Sequence, residues 1–224
     1  MISFIIPTLL KSDVIIELLT GLNEQECISE IILINNALSY LPFEKDLQKL
    51  KVVTPAQNLY VNSSWNIGVE LAKEDKIAIC NDDILFNFSK LVLIQDLIKP
   101  HVGIIGMADS NFSPNDREEI YLRKIKKRGY GFGTLMFLSK SNYITIPEDL
   151  KIWYGDDYLF NNQANPNYIL EGMAIKTKMS STSSLPIFND TINQDTRNYN
   201  LYYKPKTKLS RIILNKIKQC LKLV

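Results

Sequence analysis

The sequence predicts one α/β domain: a mostly parallel central sheet flanked by helices, followed by a C-terminal amphipathic helix. Three observations carry this prediction. From residue 3 to residue 107, short β-branched runs alternate with amphipathic stretches, the pattern of a parallel sheet with right-handed crossovers. After Met107 the alternation gives way to "ADSNFSPNDREEIYLRKIKKRGYGFG", which is polar, then basic, then glycine-rich. Beyond Lys204 the chain is lysine-rich, with apolar residues at helical spacing.

The elements follow in order. Strands are predicted at Ser3–Ile6, Glu30–Ile34, Lys51–Val53, Lys76–Cys80 and Val102–Met107. Helices are predicted at Ser12–Leu22, Phe43–Leu50, Asn62–Lys73 and Phe88–Ile98, the last with Leu91, Ile94, Leu97 and Ile98 along one face. The segment after Met107 reads as an excursion over the sheet rather than another βα unit. "GTLMFLS" reads as a strand, "DDYLFNNQ" as a helix start, and "YILEGMAIKTKM" as one or two strands. The tail, 206–224, reads as a basic amphipathic helix. Its apolar positions are Leu209, Ile212, Ile213, Ile217, Cys220, Leu221 and Val224, beside an almost purely positive complement. That pattern suits an anionic membrane surface, or else a packed terminal helix or a homodimer contact.

Composition bounds the function. The chain has 224 residues, 46% hydrophobic and 22% charged, enough for one sizeable core. A formal charge of +2 does not by itself imply nucleic-acid binding. Cys27, Cys80 and Cys220 lie far apart without metal-ligand spacing, so neither a zinc site nor a disulfide framework is expected, and a reducing cytoplasm is. The chain opens directly on "ISFIIP" without a basic leader, and no apolar run approaches the roughly 18 residues of a membrane span. A cytoplasmic protein is expected, peripheral on a membrane at most.

In open α/β sheets, ligands bind beyond the carboxyl ends of the strands. After the first strand come Pro7 and Thr8, with no glycine before Gly21, so neither a dinucleotide turn nor a P-loop is present. "GYGFG" (Gly129, Gly131, Gly133) has the wrong spacing for either. A nucleotide held without a glycine cradle commonly has its diphosphate bridged by a divalent metal, and "KIAICNDDILF" ends a buried strand in Asn81-Asp82-Asp83. Mg²⁺ or Mn²⁺ is the ion these oxygens suit. Read alone, the same residues also suit a turn or a helix cap.

The N-terminal half resembles the family 2-like glycosyltransferases of the GT-A fold. The resemblance runs through "SFIIPTL", "EIILINNA", "NLYVNSSWNIGVELAKEDKIAICNDDILF" and, later, "IWYGDDYLF". It implies an inverting, DxD-type enzyme in one domain, 1–205, with a nucleotide-sugar-binding half (1–107) and an acceptor-side half (108–205). By the same resemblance Asp83 holds the metal and Asp82 lies against the donor's ribose or sugar, Asn81 replacing the first acid of DxD. Pro7, Thr8, Asn58 and Asn66 join the donor site. Asn35 and Asn36 stand where the family usually has an Asp near the base, although Asn is also a common turn residue.

The second acid pair, Asp156-Asp157, opens a predicted helix, where carboxylates often cap free N–H groups. The resemblance implies instead that Asp157 is the general base and that Asp156 orients it or binds the acceptor. The family's third metal ligand, a late His, has no counterpart. His101, the only histidine, reads as a surface residue. "LRKIKKRG" is either a solvated surface or a closure over an anionic donor or acceptor, with Gly131, Trp153 and Tyr154 on the acceptor side. The implied partners are a nucleotide-diphosphate sugar and a glycan or lipid-linked acceptor. Rival readings are another acceptor such as modified nucleic acid, a nucleotidyltransferase, or a non-catalytic nucleotide-sugar-binding module.

Overall fold

The computed structural model describes residues 1–41, 46–114, 116–177 and 186–205. The expected basic helix over 206–224, and with it the membrane and dimer contacts expected there, lies outside the described residues. So do residues 43–45 of the helix expected over Phe43–Leu50.

An eight-stranded sheet organises the chain. In sequence order its strands are β1 (Ile2–Thr8), β2 (Ile28–Asn35), β3 (Leu50–Val53), β4 (Lys76–Cys80), β6 (Ile105–Met107), β7 (Tyr121–Ile125), β8 (Leu135–Ser139) and β9 (Asn167–Glu171). They lie in the order β3-β2-β1-β4-β8-β6-β9-β7. The first four are mutually parallel, β6 and β9 are parallel, and β8 and β7 run against their neighbours. A separate two-stranded antiparallel sheet pairs β5 (Ile84–Phe86), just after the first acid motif, with β10 (Ile175–Thr177).

β1 is buried at all seven positions because helices cover both faces. Ile2, Phe4 and Ile6 pack on one side with Leu18, Leu19 and Leu22 of α1 (Ile15–Asn23). Ile5 packs on the other with Trp65 and Val69 of α2 (Tyr60–Leu71) and Leu159 and Phe160 of α4 (Gly155–Asn162). Gly68 has a reason to lack a side chain: a Cβ there would lie 2.2 Å from the Ile5 Cγ2 atom. One charge sits inside this layer. Glu30 is fully buried, and its carboxylate accepts from Ser3 Oγ (2.6 Å), the Lys73 amide (2.7 Å) and Lys51 Nζ (2.7 Å).

Three expectations need correction. Leu50 does not end a helix; it opens β3, paired with Ile31, after a turn at 48–49. The helix expected over Phe88–Ile98 is a 3₁₀ turn, Phe88–Lys90, then one α-helical turn, α3 (Leu91–Ile94). It tightens because Asp96 and Leu97 bond three residues back rather than four. Finally, the polar excursion contains β7, antiparallel to β9 at the sheet edge. Its exposed, charged face is how an edge strand avoids pairing with other chains, and it hides the strand from a hydrophobicity reading.

Candidate active site

Two acid pairs flank one loop, residues 131–134. On one side the Asn81 amide donates to the Thr134 carbonyl at 3.0 Å. On the other, Gly133 abuts Asp156 so closely that a Cβ would stand 2.6 Å from its Oδ2 atom. The loop's left-handed residue is Gly131 (φ 71°), where a Cβ would meet the Phe112 ring at 2.1 Å. The glycine lets the loop turn there and leaves room for the Phe112 ring.

The first pair sits at the end of β4. Thr8 Oγ1 donates to Asp82 Oδ2 at 2.6 Å and accepts from the Leu10 amide at 2.8 Å, which holds Leu10 in a left-handed conformation (φ 56°). Burial, with the neighbouring Asp83 charge, pushes the Asp82 carboxyl up to about 6, and the Thr8 bond opposes that rise. Thr8 and Pro7 are themselves the last residues of β1 rather than the loop after it, and Pro7 is buried opposite Ile34. Asp83 opens onto a cavity of about 520 Å³ lined by Lys11, Ser12, Asp13, Lys176 and Thr177.

Among the described residues no three His, Cys, Asp or Glu side chains cluster to cage a metal. The donor set fits a different arrangement. A carboxylate at a strand end beside a roomy cavity suits Mg²⁺ or Mn²⁺ completed by diphosphate and water oxygens. His101 is exposed, as expected of a surface residue.

The asparagines divide. Asn35, at the end of β2, is buried; its Nδ2 donates to the Ser39 carbonyl at 2.7 Å while Oδ1 has no partner. Asn36 is consumed structurally, bonding the Tyr60 carbonyl, Ser64 Oγ and the Leu59 amide. Asn66 is consumed too, clamping Ile146 through both its amide and carbonyl and accepting from the Tyr143 hydroxyl. Asn58 caps the turn into α2 by accepting from the Tyr60 amide at 2.8 Å. The polar groups of Asn36 and Asn66 thus face their own chain.

The second pair opens α4. Tyr154 enters the helix left-handed (φ 65°), and Gly155 is pressed so close to α2 that a Cβ would lie 2.1 Å from Asn62 Oδ1. Arg128 grips both acids. Its Nε and Nη2 bond Asp157 Oδ1 and Oδ2 at 2.9 and 2.7 Å, and its Nη1 lies 2.9 Å from Asp156 Oδ2. Burial raises the Asp156 carboxyl above the usual range; Arg128 counters this and Asp157 adds to it.

The segment before α4 is held from two directions. Asn62 Nδ2 donates to the Leu150 and Trp153 carbonyls at 3.0 and 3.1 Å. Asp195, buried on α5 (Asn189–Asn198), accepts from the amides of Lys151, Ile152 and Trp153 at 2.9, 2.7 and 2.9 Å. Tyr154 stacks on Tyr199 (4.5 Å, 12°), so that ring face is covered and cannot serve as a sugar platform; Trp153 remains half-exposed. Sequence reasoning missed Arg128, Asn62 and Asp195. Only Arg128 carried a signal, as the last cation of a basic run facing a glycine loop.

A sheet that switches direction beside β4, with acids at its carboxyl edge and a second acid pair opposite, defines a nucleotide-sugar transferase architecture. The model of glycosyl transferase family 2 matches residues 3–149, and the chain belongs to that family: it is a glycosyltransferase. Among solved structures, that of S. aureus TarS 1–349 matches with TM-score 0.57 and 16% identity, over 91% of this chain and 75% of that one. The complex of the same protein with UDP-GlcNAc matches with TM-score 0.59 and 16% identity, over 92% and 68%. At such identity the likeness shows the fold. A sequence search of curated proteins finds no match. No helix among the described residues is long and apolar enough to cross a membrane.

Proposed function

We propose that the protein moves a sugar from a nucleoside diphosphate donor to a hydroxyl acceptor in one inverting displacement. The acceptor class we assign is a surface polysaccharide or a lipid-linked oligosaccharide. The observation that supports the reading is that one loop, 131–134, touches both acid motifs, bonding the Asn81 amide through Thr134 and abutting Asp156 at Gly133. The acceptor oxygen attacks the anomeric carbon while Asp157 takes its proton. The bond from that carbon to the β-phosphate oxygen breaks, and the electron pair leaves with the nucleoside diphosphate. Asp83 would hold a divalent ion, which supplies Lewis-acid stabilisation of the departing diphosphate. Thr8 holds Asp82 in place at the end of β1.

The TarS complexes contain UDP and UDP-GlcNAc, so uridine diphosphate sugars are the first donors to test. Calorimetry with a panel of nucleotide sugars, with and without Mg²⁺, separates a transferase from a nucleotidyltransferase, which would prefer a nucleoside triphosphate. Asp157→Asn is expected to keep donor affinity and lower turnover by roughly 10² to 10⁴, the usual contribution of a positioned base. An Asp157→Asn protein with full turnover would falsify the assignment, and a donor-binding protein without turnover would be the non-catalytic module.

A further inference from the structure

The base assigned above has no free oxygen. Both of its carboxylate oxygens face Arg128, and the third guanidinium nitrogen faces Asp156. A proton arriving at Asp157 must enter beside a guanidinium that both oxygens already bond. Arg128 never surrenders its own charge at ordinary pH. Each oxygen keeps a second lone pair, and a guanidinium that moves or rotates off Asp157 opens the whole carboxylate to an acceptor's proton.

We propose that Arg128 is a phosphate-binding residue that doubles as a latch: a phosphoryl group carried in by a substrate draws the guanidinium off Asp157 and frees the carboxylate to accept a proton. The proposal rests on Asp157 being the base. Phosphate is the fitting ligand because it presents the same bidentate pair of oxygens to the guanidinium fork that Asp157 now presents.

The surroundings allow the exchange. The Arg128 side chain is 29% exposed, so solvent and solutes reach it. Lys126 and Lys127 precede it, both exposed, and add positive potential for an incoming phosphate. Gly129 follows, also exposed, and a Cβ there would meet Asp109 Oδ1 at 3.3 Å. The charged and titratable neighbours are few: Asp156, Asp157 and the Tyr199 hydroxyl, itself held by Asn161 at 2.9 Å. When Arg128 leaves, two adjacent carboxylates remain, one of them buried. Their mutual repulsion makes the pair more avid for a proton. Where the phosphate is the acceptor's, water near a bound donor meets a base that is still occupied, which suppresses wasteful donor hydrolysis.

The test uses the full chain labelled with ¹⁵N-arginine, with the Arg128 Nε–H resonance assigned from its loss in Arg128→Lys. Asp157→Asn gives the position of the resonance when the latch is open. UDP with Mg²⁺ probes a phosphate from the donor; glycerol 3-phosphate, against glycerol, probes one from the acceptor. Movement toward the open position with either phosphate, and none with glycerol, is the expected result and names the source. A resonance that stays put with calorimetrically confirmed UDP bound and with glycerol 3-phosphate at 100-fold excess overturns the latch. Where glycerol 3-phosphate is the phosphate that moves the resonance, Arg128→Met is also expected to raise acceptor-free donor hydrolysis several-fold while lowering transfer. Hydrolysis falling in step with transfer would make Arg128 a fixed partner of the base and also overturn it. These outcomes stand apart from the Asp157 assignment, which fails only if Asp157→Asn turns over normally.

Discussion

Removing the Asp195 carboxylate tests whether the second acid pair is positioned from a distance. In Asp195→Ala, three backbone amides lose a charged acceptor at 2.7 to 2.9 Å. Hydrogen bonds to a charged group contribute about 1.5–3 kcal/mol each, and a buried donor left unmet costs about 1–3 kcal/mol. The Ile152 amide is the buried one, whereas those of Lys151 and Trp153 are partly open to water and recover much of their loss. The sum is about 4 kcal/mol, a large part of the roughly 5–15 kcal/mol that holds a domain together. For a chain of this length that lowers Tm by roughly 8–16 °C. Asp195→Asn keeps one acceptor but turns an NH₂ toward a donor, so an intermediate loss of about 2 kcal/mol is expected. The assay is thermal unfolding by circular dichroism, followed by turnover measured well below each variant's Tm. There kcat is expected to fall with donor KM unchanged, because 151–153 leads directly into Asp156 and Asp157. A Tm within 2 °C of the parent would refute the reasoning about the buried carboxylate. A lowered Tm with normal kcat would leave Asp195 a stabiliser and nothing more.

Other outcomes follow from the same geometry. Gly133→Ala drives a methyl group into Asp156, whose Cβ and Cγ would both lie 2.8 Å away, so a loss of about 1–3 kcal/mol and of most turnover is expected in a melt and a transfer assay. Normal kinetics would show that the loop moves freely from the acids. Asp83→Ala is expected to lose the Mg²⁺-dependent part of UDP affinity in calorimetry; unchanged metal dependence would move the ion elsewhere. Burial pushes the Glu30 carboxyl up, but bonds from Lys51, Ser3 and the Lys73 amide outweigh it and hold the folded-state value below the ordinary one. Its contribution is thus present above the unfolded value of about 4.3 and is lost as pH falls through the folded value. Glu30→Gln should lower the urea midpoint at pH 7 and flatten its decline below about pH 4, and parallel pH curves for both proteins would contradict this.

The fold was legible where burial on two faces made the strands apolar throughout. β1, β2 and β4 read directly as Ile-rich runs, and α2 as an amphipathic stretch in which Gly68 lets the helix touch Ile5. β7 was not legible, because an edge strand with Arg123 and Lys124 outward carries the composition of a loop. The segment after Phe88 misled for a different reason. Its apolar spacing is real, and Leu91, Ile94 and Ile98 are buried, but spacing does not report whether bonds close at three residues or four.

The site was legible as pairs of acids and illegible as a circuit. Asp82–Asp83 and Asp156–Asp157 are adjacent in sequence, so their density draws attention to them. What acts on them comes from far along the chain: Thr8 reaches Asp82 across 74 positions, and Arg128 reaches Asp157 across 29. Within "LRKIKKRG" the five cations look alike, yet their surroundings sort them. Arg123 pairs with Glu171 at the sheet edge, Lys124, Lys126 and Lys127 face solvent, and Arg128 is held between two carboxylates. The asparagines show the same limit from the other side. Asn36 and Asn66 have the residue type a donor site uses, and the structure spends their polar groups on Ser64, Tyr60, Leu59, Tyr143 and Ile146. A side chain that already meets its hydrogen-bonding capacity within the fold gains little from a ligand, whereas the buried and unpartnered Oδ1 of Asn35 gains a full bond from any donor that reaches it. Satisfaction, more than residue type, thus separates binding groups from structural ones, and it is a property of the folded contacts alone.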